Sequence, residues 1–175
     1  MDEVKILVIE DSPLTQDTLR NILSAQEAEI SVVSTGEEGI ELLEKGLKPN
    51  VIVLDLNLPQ MDGAEVVEKL RSDIRWKNIP VIPFSALWSE RTDEPFKKDL
   101  EIVKKWMAAA RTNEKAGGSL ASVTPKYHGQ EDTDVVHPRL IVSVAKVLIQ
   151  MGQELSPAFQ HLVLLSQNQL EETKK

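Results

Sequence analysis

The chain has 175 residues, 41% of them hydrophobic and 27% charged, with a formal net charge of −8 and no cysteine. These values suit one well-buried domain with an appendage and exclude a chain too polar to fold. The acidic balance excludes a general nucleic-acid surface, which needs clustered cations to displace counterions, and the lack of cysteine excludes disulfides and thiolate metal sites.

The amino-terminal run MDEVKILVIED joins an acidic start to a short apolar stretch, which reads as a strand and not as a signal peptide. No stretch approaches membrane-spanning length, so no membrane partner is expected and a cytoplasmic setting is. KILVIE (5–10) is the first strand, and Asp11-Ser12-Pro13 then opens a helix, a capping residue followed by proline in the first turn. Leu14, Leu19, Ile22 and Leu23 supply its apolar face. EISVVST (29–35) is a second strand, rich in β-branched residues, and GEEGIELLEKGL (36–47) a helix with Ile40, Leu43 and Leu47 on one side. NVIVLDL (50–56) is the third strand. Asp62 caps a helix running to about residue 74 with Val66, Val67 and Leu70 inward, and IPVIPFSA (79–86) is a fourth strand placed toward the sheet edge by Pro83.

Beyond residue 86, LWSERTDEP is a polar connection. Phe96, Leu100, Val103, Met107 and Ala110 then fall at helical spacing, with Lys97, Lys98, Lys104 and Lys105 largely on a solvated face. LASVTPK (120–126) reads as a fifth strand and YHGQEDTDVVHP (127–138) as a polar loop. Leu140, Val144, Val147, Leu148 and Met151 make a core-facing helix, and Ser156-Pro157 starts a last helix with Phe159, Leu162, Val163 and Leu170 inward. Strands that alternate with helices and lack a polar alternate face predict an α/β fold with a doubly wound, five-stranded parallel sheet. The expected division is residues 1–152 as the main domain, with an insertion at about 88–116 and an extended helix after strand four, and residues 153–175 as a helical extension.

In such a sheet the carboxyl ends of strands one and three can be neighbours, which brings Glu10, Asp11 and Asp55 toward one crevice. Taken alone, Asp11 reads as a helix cap, and Asp55 equally as a polar strand end or as a functional carboxylate. Together they are like charges that resist joint ionisation unless a divalent cation binds. Hard oxygen ligands, few in number, suit Mg²⁺, and the backbone carbonyl of Asn57 would add another oxygen. With its charge screened, Asp55 could attack phosphorus and carry a phosphoryl group. His128, His137 and His161 lack ligand-like spacing and read as loop or surface residues, while Trp88 and Trp106 read as core packing.

The set VIEDSP, VLDLNLPQMDG and VIPFSA is similar to response-regulator receiver domains, the phosphoacceptor half of two-component signalling, over residues 4–86. The resemblance implies a flavodoxin-like fold, Mg²⁺ held by Glu10 and Asp11, phosphorylation of Asp55, and a metal-ligating carbonyl at Asn57. It implies further that Ser85 hydrogen-bonds the phosphoryl group beside the Ala86 amide, and that Pro59 and Gly63 shape the loop after the phosphorylation site. The strand-five lysine that pairs with a phosphoryl oxygen is assigned to Lys126 rather than Lys115. Here the order is Pro125-Lys126, the reverse of the family's usual one, and Val123 occupies the place where receivers often carry an aromatic.

The function implied is a stand-alone receiver that takes its phosphoryl group from a histidine kinase or phosphotransfer protein and signals by binding a downstream protein, without enzymatic turnover of an external substrate. The tail after residue 152 is too short for a DNA-binding output domain and has no basic recognition helix. A phosphorylation-independent interaction module is the alternative. An aspartate-nucleophile phosphatase ranks last, because Asn57 stands where such enzymes place a second acid. The segment from Trp88 to Asn113 is the expected partner-recognition face.

Overall fold

The described residues of the computed structural model are 3–84 and 133–172, with residues 83, 84 and 133–139 described by their backbone alone. Val51–Asp55 is a strand buried at every position, as a strand covered on both faces must be. With Lys5–Ile9 (β1), Glu29–Val33 (β2) and Val81–Phe84 (β4) it forms, as β3, a parallel sheet in the order β2-β1-β3-β4. Ile9 stands opposite Val33 on one side and Leu54 on the other, and Asp55 stands opposite Phe84.

Successive side chains of these strands enter different cores. Ile6, Val8, Val51, Val53 and Ile82 share one cluster with Leu19 and Leu23 of helix α1 (Pro13–Ser24), Val144 and Leu148 of α4 (Thr133–Gln150), and Phe159 of α5 (Pro157–Glu172). Leu7, Ile9, Ile52, Leu54 and Val81 share the other with Leu43 of α2 (Gly36–Glu44) and Val66, Val67 and Leu70 of α3 (Gly63–Ser72). Helices thus cover both faces, and the doubly wound architecture expected from the alternation of elements is present. The carboxy-terminal helix is fastened by polar contacts as well. The Gln26 amide donates to the Glu154 carbonyl at 3.0 Å and accepts from the Ser156 amide, while the Ser156 hydroxyl donates to the Ala25 carbonyl.

Several expectations need correction. Four strands, not five, stand among the described residues; the strand expected at 120–126 and the long helix expected after strand four lie outside them. The first strand ends at Ile9, although the Glu10 amide still donates to the Val33 carbonyl at 3.0 Å. Leu14 is 78% exposed and does not join the apolar face of α1, whose buried residues are Leu19 and Leu23, further along the helix. Helix α2 stops at Glu44, where Gly46 at φ 102° lets the Gly46 and Leu47 amides cap the carbonyls of Leu43 and Leu42. Helix α3 stops at Ser72, since Asp73 leaves helical geometry and takes the Arg75 amide on its carboxylate. The polar loop read over 127–138 gives way to helix at Thr133, and Met151 falls in the turn after α4 with its side chain 43% exposed.

Candidate metal centre at the carboxyl edge of the sheet

The connection after β1 runs outward to β2, and the chain then crosses back to place β3 on the other side of β1. Loops leaving the carboxyl ends of β1 and β3 therefore diverge and leave a crevice between them, the usual ligand position in open parallel sheets. Glu10 and Asp11 follow β1 and Asp55 ends β3, so all three acids come to that crevice. One carboxylate oxygen from each lies within 4.8 Å of the others. Asp11 is exposed, whereas Glu10 is 3% and Asp55 8% exposed.

Local structure explains why the carboxylates are available to one another. The cap of α1 is Ser12, whose hydroxyl accepts the Thr15 amide at 3.4 Å, so Asp11 is not consumed as a helix cap. The Ser12 amide donates to Glu10 Oε1 at 3.0 Å, while Glu10 Oε2 is buried with no hydrogen-bond partner. Burial, then the neighbouring Asp55 and Asp11 carboxylates, pushes the Glu10 carboxyl up to about 7 against the opposing pull of the Ser12 amide. The Asn57 amide donates to Asp55 Oδ1 at 3.1 Å and orients that carboxylate.

The loop after β3 is drawn tight by Gly63. Its amide donates to the Leu56 carbonyl at 3.1 Å, and a Cβ there would stand 2.7 Å from both the Asp55 carbonyl oxygen and Leu56 Cα. Asp62 caps α3 as expected, through a reciprocal pair with Glu65 at 2.9 Å in each direction.

A divalent cation fits these residues. An orphaned, buried carboxylate oxygen is costly unless protonated or bound to a cation, and two further carboxylates stand within shared coordination distance of it. An all-oxygen donor set without nitrogen or sulfur suits Mg²⁺ better than a transition metal. Ser85, Ala86 and Lys126 lie outside the described residues, as do Trp88, Trp106 and His128. His161 is exposed on α5, a surface position as expected. Reading the sequence missed the parts played by Ser12 and Gln16; the Gln16 side-chain amide donates to the Glu10 carbonyl at 2.5 Å and to the Ser34 hydroxyl at 3.0 Å. No sequence signal marks Gln16, because Ser34, just past the end of β2, is brought to it only by the β1–β2 pairing.

The family model for the response regulator receiver domain matches residues 6–98, more than half of the chain. A protein-glutamate methylesterase/protein-glutamine glutaminase of Desulfitobacterium hafniense is 40% identical over 90 residues, which is 50% of this chain and 22% of that enzyme. The chain therefore spans under a quarter of the length of that relative. The N-terminal domain of a response regulator receiver protein from Methanoculleus marisnigri is 29% identical, with 53% of this chain and 74% of that one covered and a TM-score of 0.46. A chain carrying a yeast Spc42 trimeric coiled-coil segment as a fusion is 23% identical with a TM-score of 0.57, over 87% of this chain and 83% of that one, a likeness of fold.

Proposed function

The chain belongs to the response regulator receiver domain family of two-component signalling, and on that premise we propose that it is a Mg²⁺-dependent phosphoacceptor phosphorylated on Asp55. The observation that carries this reading is the meeting of Glu10, Asp11 and Asp55 within 4.8 Å at the crevice between β1 and β3. Glu10 and Asp11 hold the ion, with Asp55 and the Asn57 carbonyl as further oxygen ligands. When bound, Mg²⁺ offsets the clustered negative charge and that of the phosphoryl oxygens.

An Asp55 carboxylate oxygen forms a bond to phosphorus while the bond from phosphorus to the donor's imidazole nitrogen breaks, and that electron pair leaves with the donor. The donor is a histidine kinase or phosphotransfer protein. The Asn57 amide, on Asp55 Oδ1, holds the carboxylate plane through the transfer. Ser85 follows Phe84 in sequence, and Phe84 is the register partner of Asp55. Ser85 is accordingly assigned to the phosphoryl oxygens, with the Ala86 amide beside it and Lys126 as the pairing cation.

The product bears up to about two negative charges and three strong acceptor oxygens, enough to redirect a neighbouring hydroxyl and lysine. The output is a change in binding to a downstream protein, for which the segment from Trp88 to Asn113 is the assigned face, and the chain needs neither DNA nor a membrane for it. Among the described residues no helix is long and apolar enough to cross a membrane.

Incubation with acetyl phosphate and Mg²⁺, read by intact mass, tests the reading. One phosphoryl adduct is expected on the wild type, lost with chelator and absent from Asp55→Asn. An equal adduct on the variant, or none on the wild type, overturns it in favour of a module that works without phosphorylation.

A further inference from the structure

We propose that Gln16 is a positioning residue for the metal centre, holding the peptide unit that joins the two metal-binding acids Glu10 and Asp11. The inference rests on the assignment of Mg²⁺ to these acids. Glu10 lies just beyond β1, so its carbonyl points from a residue outside the strand. That carbonyl belongs to the Glu10–Asp11 peptide, and rotation of this one planar unit re-aims the side chains on both sides of it. Gln16 Nε2 donates to the Glu10 carbonyl at 2.5 Å, and Gln16 is itself seated in the first turns of α1, where its own amide donates to the Ser12 carbonyl at 2.9 Å.

The second donor of the same side-chain amide reaches the Ser34 hydroxyl at 3.0 Å, just past the end of β2. Ser34 is fixed in turn, because its amide donates to Glu38 Oε2 at 2.8 Å, and the Glu38 amide donates to Thr35 Oγ1 at 3.1 Å in the cap of α2. One half-buried side chain thus ties the peptide between two metal ligands to α1 on one side and to the β2–α2 loop on the other. The ties leave Glu10 Oε1 with the Ser12 amide and Oε2 directed to no protein partner. Partners that hold a metal ligand without touching the metal commonly change metal affinity by about 10- to 100-fold when removed, and a brace acting through the backbone belongs at about 10-fold.

The test uses the full chain and Mg²⁺ alone, titrated calorimetrically, with melting of the metal-free protein followed in parallel. Gln16→Met keeps the length of the side chain and removes both donors; Ser34→Ala, at an exposed position, removes only the outer tie. Mg²⁺ affinity is expected to fall about 10-fold in Gln16→Met and about threefold in Ser34→Ala, with the metal-free melting points little changed. The rate of labelling by acetyl phosphate at saturating Mg²⁺ should return to within about twofold of wild type, since the loss is one of ion binding and not of the attacking group. Unchanged Mg²⁺ affinity in both variants overturns the proposal, as does a fall in melting point with affinity intact, which makes Gln16 a stabilising residue only. A wild type that binds no Mg²⁺ fails the assignment of the metal site itself, an outcome distinct from either.

Discussion

At the amino end of the sheet the Lys5 ammonium lies 2.6 Å from Glu29 Oε2, and the Lys5 amide donates to Asn50 Oδ1 at 2.7 Å. At the carboxyl end of the same strands, Glu10, Asp11 and Asp55 turn three like charges on one another. The first end is arranged as a folded chain arranges charge for itself, with opposite partners at a solvated strand terminus. The second works against folding, since burial and mutual repulsion both oppose ionisation of Glu10. Such a conflict is relieved when a cation binds, and the contrast between the two ends supports the proposed placement of Mg²⁺ at the carboxyl end.

Gly63→Ala probes the carboxyl end most severely. The added methyl meets backbone atoms at 2.7 Å on both Asp55 and Leu56, which cannot rotate away, so a loss of about 2–3 kcal/mol in urea unfolding is expected together with weakened Mg²⁺ binding. A loss below about 0.5 kcal/mol breaks the view that the loop after β3 is drawn against the strand that ends in Asp55.

Glu10→Gln removes the buried charge. The wild-type carboxyl, near 7 in the folded state, binds more protons folded than unfolded between about pH 4.5 and 7. Metal-free stability therefore falls as pH rises through that window, and the full penalty stands above it. Discounted for the solvent that still reaches the cluster, the penalty is about 1–2 kcal/mol. Glu10→Gln should accordingly melt about 2–6 °C above the wild type at pH 8 without metal. The difference should vanish toward pH 4.5 and reverse when Mg²⁺ stabilises the wild type. Equal melting curves at pH 8 would mean that Glu10 is solvated and not in conflict with its neighbours.

Arg71 sharpens the comparison from the amino end. Its Nη1 donates to the Ile79 carbonyl at 3.0 Å, but Nε and Nη2 are buried without partners, and burial lowers the guanidinium to about 10. Arg71→Met exchanges an incompletely satisfied charge for apolar packing, and the expected effect is between neutral and about 1 kcal/mol stabilising. A loss of several kcal/mol would show that this end, too, holds a charge for a purpose beyond packing. Lys5→Met comes last in size: an exposed pair at a strand end is expected to leave the unfolding midpoint unchanged within measurement, and a clear shift in low-salt buffer that about 1 M salt abolishes would contradict it.

Much of this was readable in advance for identifiable reasons. Apolar runs such as VIVL could be assigned to strands because parallel strands buried on both faces need no polar alternation. Asp62 with Glu65 three residues later is a local signal, and the capping pair is present. Element ends were less readable. Asp11 and Ser12 both suit a helix cap, and only the structure assigns the cap to Ser12 and leaves Asp11 to the acidic site. Leu14 matched the helical period yet stands exposed, since a period says which side a residue is on and not whether anything covers that turn.

The sequence by itself determined the alternation of strands and helices, the parallel sheet that follows from it, and the three acids placed at strand ends, because each depends on neighbours within a turn or a strand. The tertiary structure decided that Glu10, Asp11 and Asp55 meet within 4.8 Å, that Glu10 is buried among them, and that Gln16 ties Glu10 to Ser34. Those facts depend on the order β2-β1-β3-β4, which brings together residues up to 45 positions apart, and no local pattern in the chain encodes a distance across strands.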